Sequence, residues 1–517
     1  MADTTASSSG EMRRSLTLTG VTVNAMALIA PGAFLWTTFQ AQSALQHGST
    51  STASEMWTGL VFSLILALLT AYSYSELARI YPDAGTGSSY YFAEAALLDK
   101  ASPGHRRFAR FAKLSVGWIS HLYYWIYPGI MVAFTATLFG YIYSAVANST
   151  LSYFWLGVVA TGFAVITGYI AYRGITGSTM TSIAILVIQT VSLVGVSVWF
   201  IAYRIGHPHG IYEQANAIHV LIPHDFVSLL YQSTIAILLL VGFESITALG
   251  AEAIRPDKDI KRGVLISLLI QGGLCYLLEY FGANFAVGAT TISSGSGKTA
   301  LHGYSAAAAD SAPIGTMLKT TIGSGGTTVS VIVALTVLLA LIGTTLACLN
   351  TAVRVTYTMA KDKEMPSVLG LLHGRFATPH GGIWVLVAVS AALGIFGANP
   401  HQVDNLTQMT LASNTGTFLV YGFTCMIALV AFASRHDKHP IKHLLIPGVG
   451  ALMNIAELLG VVYIAVNASG TSPGNAFKAL GAVALWCVIG VVWVLVNPNK
   501  RGHKVFHDPG QRQAVPA

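Results

Sequence analysis

Charge is what this 517-residue chain has least of: Asp, Glu, Lys and Arg make up 9% of it, against about 25% in an ordinary soluble domain. So few charges cannot cover the surface of a water-soluble fold of this length, which argues against a soluble enzyme. Cysteine is scarce too. Cys275, Cys348, Cys425 and Cys487 all lie in apolar stretches, and no pair has metal-ligand spacing. They read as small core hydrophobes, without a disulfide framework. A phosphate loop is missing: Gly295-Ser296-Gly297-Lys298-Thr299 lacks the first spaced glycine, so ATP-driven pumping has no support. Neither an ion-filter motif nor the cluster of His, Asp or Cys that a membrane-embedded enzyme needs is seen. No cofactor and no metal are expected.

Apolar length is what the chain does have. Hydrophobic residues make up 53%, and runs free of Asp, Glu, Lys and Arg cover 15–54, 114–172, 174–203, 320–353, 376–403, 405–434 and 479–499. A helix crosses a bilayer with about 20 mostly apolar residues. Twelve spans follow, near 18–42, 55–80, 113–146, 152–172, 178–204, 226–254, 263–289, 327–360, 382–398, 405–433, 444–467 and 475–496. The runs are too long and too uniformly apolar for alternating barrel strands. The expected fold class is thus an all-α polytopic membrane protein. Arg13 and Arg14 precede a full-length span, so the first span reads as an uncleaved anchor.

The net charge is +7. Twenty-four of the 28 basic residues fall on the side of the two termini; Arg204, Lys298, Lys319 and Lys478 fall on the other. By the positive-inside rule both termini are cytoplasmic, with the chain in the cytoplasmic membrane. A nucleic-acid binder would cluster its cations on one face; these are spread over separate segments, which excludes that partner.

The spans divide the chain into a tail (1–14), a first five-helix repeat (15–204), an external connection (205–225), a second repeat (226–434), two additional helices (435–496) and a second tail (497–517). The repeat is suggested by two interruptions. Ala30-Pro31-Gly32-Ala33 lies within span one and Leu240-Val241-Gly242-Phe243-Glu244 within span six, with Pro31 and Gly242 separated by 211 residues. Corresponding Gly/Pro breaks in two halves point to a transporter site, because a break bares backbone groups at mid-membrane depth. An ordinary proline kink and a packing glycine are the plainer alternative. His207, His209, His219 and His224 crowd the external connection and read as loop histidines rather than a metal site. Asp225 reads as a cap for span six. A short helix is expected near 306–318.

Several strings then resemble a known family. Span two ends Ser75-Glu76-Leu77-Ala78-Arg79-Ile80-Tyr81-Pro82-Asp83-Ala84-Gly85, followed by Tyr90 and Tyr91. Span six gives Gly242-Phe243-Glu244-Ser245, then Ala251-Glu252-Ala253 and Arg255-Pro256-Asp257-Lys258-Asp259-Ile260. Span eight gives Leu349-Asn350-Thr351-Ala352-Val353-Arg354, Met359-Ala360-Lys361-Asp362 and Met365-Pro366. In this order they resemble the amino acid–polyamine–organocation permeases. The resemblance implies a five-plus-five inverted repeat with broken spans one and six, and alternating-access transport of an amino acid or related amine. It implies substrate contact at Ala30, Pro31, Gly32 and Ala33 and at Val241, Gly242 and Phe243. Three departures stand out. Pro31 has no N–H to offer a carboxylate, as in the family's polyamine importers. The aromatic gate before the span-six glycine is replaced by Ile237, Leu238, Leu239 and Leu240. The lysine that some proton-coupled members carry on span five is matched by Gln189.

Single residues sharpen the expectation. Glu244, deep in span six, is either a proton carrier and amine sensor or a carboxyl that bonds the freed backbone. Glu279 is expected near the external surface. Asn454 and Glu457 share one face of span eleven, for an interhelical or a subunit contact. On span three, Trp118, His121 and Trp125 lie near one face, with Tyr123 beside them in sequence. Tyr124 and Tyr127 are favoured as an aromatic wall for an ammonium. Asn414 is a polar group for the cavity. Thr344 and Thr345 on span eight offer oxygens to sodium or bond back to their helix; protons are preferred over sodium as the coupling ion. Glu76, Arg79 and Arg354, with Glu252, Arg255, Asp257, Lys258, Asp259, Lys261 and Arg262, are expected to make and break ion pairs at an inner gate. The expected function is secondary transport of an amino acid or amine through the lipid bilayer, with exchange, uniport or a non-transporting sensor as alternatives.

Overall fold

The computed structural model describes residues 16–29, 35–82, 87–98, 105–174, 179–250, 253–292, 300–374, 376, 378–400, 404–433, 435–467 and 472–496. Among the described residues eighteen α-helices form, because lipid offers backbone groups no partner outside their own segment. They are α1 (Leu18–Ile29), α2 (Leu35–Ser43), α3 (Met56–Ile80), α4 (Ser89–Leu98), α5 (Arg106–Ala147), α6 (Tyr153–Tyr172), α7 (Thr179–Gly206), α8 (Ala217–Leu221) and α9 (Phe226–Ala236). The rest are α10 (Pro256–Leu268), α11 (Leu277–Ala286), α12 (Gly303–Ala309), α13 (Pro313–Ile322), α14 (Gly326–Lys361), α15 (His380–Gly397), α16 (Asp404–Ala433), α17 (Ile446–Asn467) and α18 (Ser472–Val496). Two antiparallel pairs of two-residue strands lie in connections among the described residues.

Among the described residues, eleven helical stretches are long and apolar enough to cross a membrane, and α1 is a shorter apolar helix. Eleven of the twelve expected spans are therefore present as such. The first is represented by α1 and α2; residues 30–34 between them, including Ala30, Pro31, Gly32 and Ala33, lie outside the described residues. Span seven is one continuous stretch, but its middle, Leu269–Tyr276, is a π-helix. A second π-helix, Pro440–Leu445, leads into α17. The short helix expected near 306–318 is two helices, α12 and α13, both packed on α2.

The long α5 runs through the bundle against α14, α15 and α16. Small residues let it approach α15: a Cβ on Gly129 would fall 2.5 Å from Leu393 Cβ, and one on Gly394 would fall 2.3 Å from Val132 Cγ1. Helices in lipid gain nothing from hiding apolar surface from apolar tails, so such close packing is what holds them together. The core centres on the segment between α9 and α10, where Ile237–Leu240 are wholly buried. Outward faces of α6, α7, α17 and α18 carry exposed Val, Leu, Ile and Trp, as a lipid-facing surface requires.

Candidate functional site

Asp225 starts the sixth span as a cap. Its carboxylate accepts from the amides of Val227 (3.3 Å) and Ser228 (2.8 Å) and from the Ser228 hydroxyl (2.5 Å). The Ser228 hydroxyl bond is the main cause that holds this carboxyl below its ordinary range. The helix fails eleven residues later. After Ala236 come a 3-10 turn (Ile237–Leu239), a non-helical corner and a second 3-10 segment (Phe243–Leu249). The corner residue Gly242 has φ +130°. A Cβ there would sit 2.8 Å from Leu28 Cγ and 3.1 Å from the Leu28 carbonyl carbon. Only glycine allows both the backbone angle and the approach of α1.

Glu244 answers the break it follows. Its Oε2 accepts from the Gly242 amide (2.9 Å) and from the Tyr421 hydroxyl of α16 (2.8 Å). Its Oε1 is buried without a closely aligned hydrogen bond, and the Tyr123 hydroxyl lies within reach of the carboxylate. Rings surround it: Phe243 and Tyr421 have centroids 5.3 Å apart, and Tyr74 lies 6.1 Å from Phe243 and 6.0 Å from Tyr421. Tyr74 is held by Ser89 and Thr424 hydroxyls. The Tyr124 hydroxyl, also buried, is bonded to Tyr123 and lies within electrostatic reach of Glu244. Chemically, this is a buried carboxylate among aromatic rings with no cation beside it among the described residues, a setting for a cation.

Other groups satisfy the freed backbone. Tyr127 donates to the Leu238 carbonyl at 3.4 Å, and Asn414 donates to the Thr234 carbonyl at 2.7 Å. The Asn414 Oδ1 is buried and unpartnered. At the first span, Tyr276 donates to the Ile29 carbonyl (2.5 Å) and Thr344 to the Ala27 carbonyl (2.9 Å). Tyr124, Tyr127, Val241, Gly242, Phe243, Glu244 and Asn414 are all buried. Tyr127 and Asn414 meet the interrupted span directly, and Tyr124 stands within reach of its carboxylate. Thr345 bonds back to Leu341 (2.7 Å) and Thr344 also to Ala340 (3.1 Å). Gln189 is buried on α7, and its Nε2 lacks a partner.

Trp118, His121 and Trp125 serve packing instead. Trp118 stacks on Trp486 of α18 at 4.8 Å, and both His121 and Trp125 bond the Thr356 hydroxyl of α14. Asn454 bonds Thr70, and Glu457 accepts from Ser233 at 2.5 Å, so their face of α17 makes interhelical polar contacts. Glu279 corrects the expectation of an external position: it is 1% exposed. Span seven continues beyond it through Ala286, and the 3-10 turn Val287–Ala289 beyond is covered by α12 and α13. Among the described residues no group of three or more His, Cys, Asp or Glu is placed to hold a metal ion.

The basic end of the bundle is closed by ion pairs. Glu76 accepts from Lys261 (2.5 Å) and Arg79 (2.8 Å), with His443 at 3.4 Å; Arg255 pairs with Asp259 at 3.3 Å. Arg354 is half-buried on α14, and Glu252 lies outside the described residues. A second network was not anticipated. Lys113, 1% exposed, bonds Glu94 (2.6 Å) and Asp362 (2.8 Å), and Tyr90 donates to Asp362 (3.0 Å). At the opposite end, a cleft of about 690 Å³ lies between α2, α5 and α13, with Thr37, Gln40, Tyr141, Asp310 and Lys319 on its wall.

Comparison with known proteins agrees with this geometry. Residues 15–495 match the model of the amino acid permease family. Over 492 residues the chain is 24% identical to the low-affinity putrescine importer PlaP of Escherichia coli (strain K12), covering 92% of this chain and 94% of the importer. It is 20% identical over 453 residues to the branched-chain amino acid permease BcaP of Bacillus subtilis (strain 168), covering 86% of each. To the BcaP of Lactococcus lactis subsp. cremoris (strain MG1363) it is 32% identical over 156 residues, 30% of this chain and 29% of that permease. With its apolar helices and its interrupted sixth span, the chain belongs to the amino acid permease family, and it is an integral membrane transporter of amino acids or amines.

Proposed function

We propose that this permease imports a small organic amine across the cytoplasmic membrane by alternating access, coupled to protons, with both termini cytoplasmic. The observation that carries the reading is the Glu244 carboxylate, buried at the broken span among Phe243, Tyr421 and Tyr74 with hydroxyl and amide donors but, among the described residues, no cation to pair with it. An ammonium placed there gains an ion pair in a water-poor site and about 0.5–2 kcal/mol of cation–π attraction. An amino acid would also need donors for its carboxylate, and Pro31 withdraws one from the first span. The putrescine importer among the relatives supports an amine without a carboxylate. Buried intramembrane carboxylates support protons as the coupling ion.

In this reading the paired Glu76, Lys261 and Arg79 close the cytoplasmic side, while the opposite cleft is the approach from outside. Arg354 and Gln189 belong to the gating and coupling machinery. Ala30, Pro31, Gly32 and Ala33 supply the first-span half of the site. Counterflow in proteoliposomes tests the proposal. Vesicles loaded with unlabelled putrescine are expected to draw in labelled putrescine, with leucine competing poorly. Counterflow of leucine with none of putrescine would overturn the amine reading; none with any amine or amino acid would overturn transport.

A further inference from the structure

Among the described residues, Glu279 is the least satisfied carboxyl inside the membrane-spanning part of the molecule. It is 1% exposed, and both carboxylate oxygens lack a partner. The other buried carboxylates of the spans have partners: Glu244 has Gly242 and Tyr421, Glu457 has Ser233, and Glu76 has Lys261 and Arg79. An ionised carboxylate stripped of water and partners is far too costly to persist, so such a group holds a proton while it stays enclosed.

Its position is equally specific. Cys275, Glu279 and Gly282 follow at helical spacing on one side of span seven. Cys275 bonds Thr190, and the Cβ site of Gly282 lies 2.8 Å from the Ser197 carbonyl oxygen. Glu279 therefore sits in the seam between α11 and α7, level with the stretch from Thr190 to Ser197. Among the described residues no ionised partner reaches it there. On its own span the titratable neighbours are Cys275, Tyr276 and Tyr280. From α7 the first charged side chain is Arg204, which stacks over Tyr212 and Phe285. From α3 nothing titratable occurs between Met56 and Ala71, and Glu55 before it is engaged by Thr58 and His224. From α8, His219 is tied to Gln214.

The neighbouring face of the same span is strapped to both halves of the first span. Tyr276 donates to the Ile29 carbonyl of α1, and Tyr280 donates to Gln42 of α2 (2.6 Å). Tyr276 is also within electrostatic reach of Glu279 and Tyr127, and Tyr127 of Glu244. The turn just before Glu279 is the π-helix Leu269–Tyr276, a wound-out register often found at functional sites. A return of that segment to α-helical register turns α11 about its axis and carries Glu279 relative to the α7 seam.

We propose that Glu279 is the proton carrier of the transport cycle: its carboxylate takes one proton from water on the outer side, keeps it while the seam is shut, and returns it to water on the inner side when the first span moves. The proposal rests on the proton-coupled reading above. One proton enters and one leaves, and no bond in the substrate changes.

The test uses the full chain in proteoliposomes, with the membrane potential clamped and labelled putrescine as probe. For one proton per substrate, a one-unit pH gradient supports at most about tenfold accumulation. Glu279→Gln is expected to bring that ratio to about one while counterflow stays within about twofold of the unsubstituted protein. Accumulation retained in Glu279→Gln would overturn the proposal, as would parallel loss of accumulation and counterflow in a monodisperse preparation. Should Glu279→Gln not fold, Glu279→Asp is expected to keep gradient-driven uptake with a displaced pH midpoint; an unmoved midpoint overturns it. Counterflow in the unsubstituted protein without any response to the pH gradient would instead overturn the proton-coupled reading itself.

Discussion

Replacing Gly242 by alanine puts a methyl group where the structure has no room and no permitted backbone angle. At φ +130° an L-residue pays about 1–3 kcal/mol of backbone strain. The new Cβ would also lie 2.8 Å from Leu28 Cγ, 2.9 Å from Leu28 Cβ and 3.1 Å from the Leu28 carbonyl carbon. Overpacking of that kind costs about another 1–3 kcal/mol. Gly242→Ala should therefore destabilise by about 2–6 kcal/mol by these two effects, read as a lowered thermal-unfolding midpoint of the purified protein. It should also remove counterflow, because α1 can no longer lie against the broken span. Leu28→Ala isolates the Cγ part of the contact. Alone it opens a cavity and costs about 2–5 kcal/mol. Combined with Gly242→Ala it removes the Cγ contact but leaves the Cβ and carbonyl-carbon contacts and the strain, so the double variant should be better than the sum of the singles by only part of the about 1–3 kcal/mol of overpacking. Strict additivity together with an unchanged midpoint in Gly242→Ala would refute the close approach of α1 to the break.

Two further outcomes are expected. Lys113→Met leaves Glu94 and Asp362 buried without their shared cation and should cost about 3–5 kcal/mol in chemical unfolding; adding Glu94→Gln and Asp362→Asn should recover most of it, and no loss in the single variant would contradict the buried network. The Asp225 cap depends on its charge: with the carboxyl held below its ordinary value, its contribution is present above the unfolded carboxylate range and is lost as pH falls through the lower folded value. The protection of the Val227 and Ser228 amides, taken against their intrinsic exchange rate at each pH, should fall on acidification, and Asp225→Asn, a neutral cap of similar strength, should abolish that fall.

Much of this architecture follows from hydrophobic runs, since a span is a local property of about 20 consecutive residues. Asp225 was readable as a cap because capping chemistry is local, and Glu244 because a carboxyl deep in an apolar run needs a reason. The partners of Glu244 were not readable. Tyr421 and Tyr74 are aromatic residues in apolar helices, and only the packing of α16 and α3 against the break gives them a role. Glu94 stands on α4, Lys113 on the next helix α5 and Asp362 at the end of the distant α14, so their network carried no local signal. The burial of Glu279 was missed because its cover comes from segments distant in sequence. The π-helices do not announce themselves in hydrophobic periodicity. Trp118, His121 and Trp125 share a face as the spacing indicates, but α14 and α18 claim that face for packing.

The central claim is that the interrupted sixth span holds an ammonium at Glu244. A structure of the protein with putrescine bound tests it most directly. The account predicts ligand density with a nitrogen within hydrogen-bond distance of Glu244 Oε1, against the rings of Phe243 and Tyr421, and no such density in Glu244→Gln under the same conditions. Putrescine seated elsewhere, or bound equally in Glu244→Gln, would contradict it.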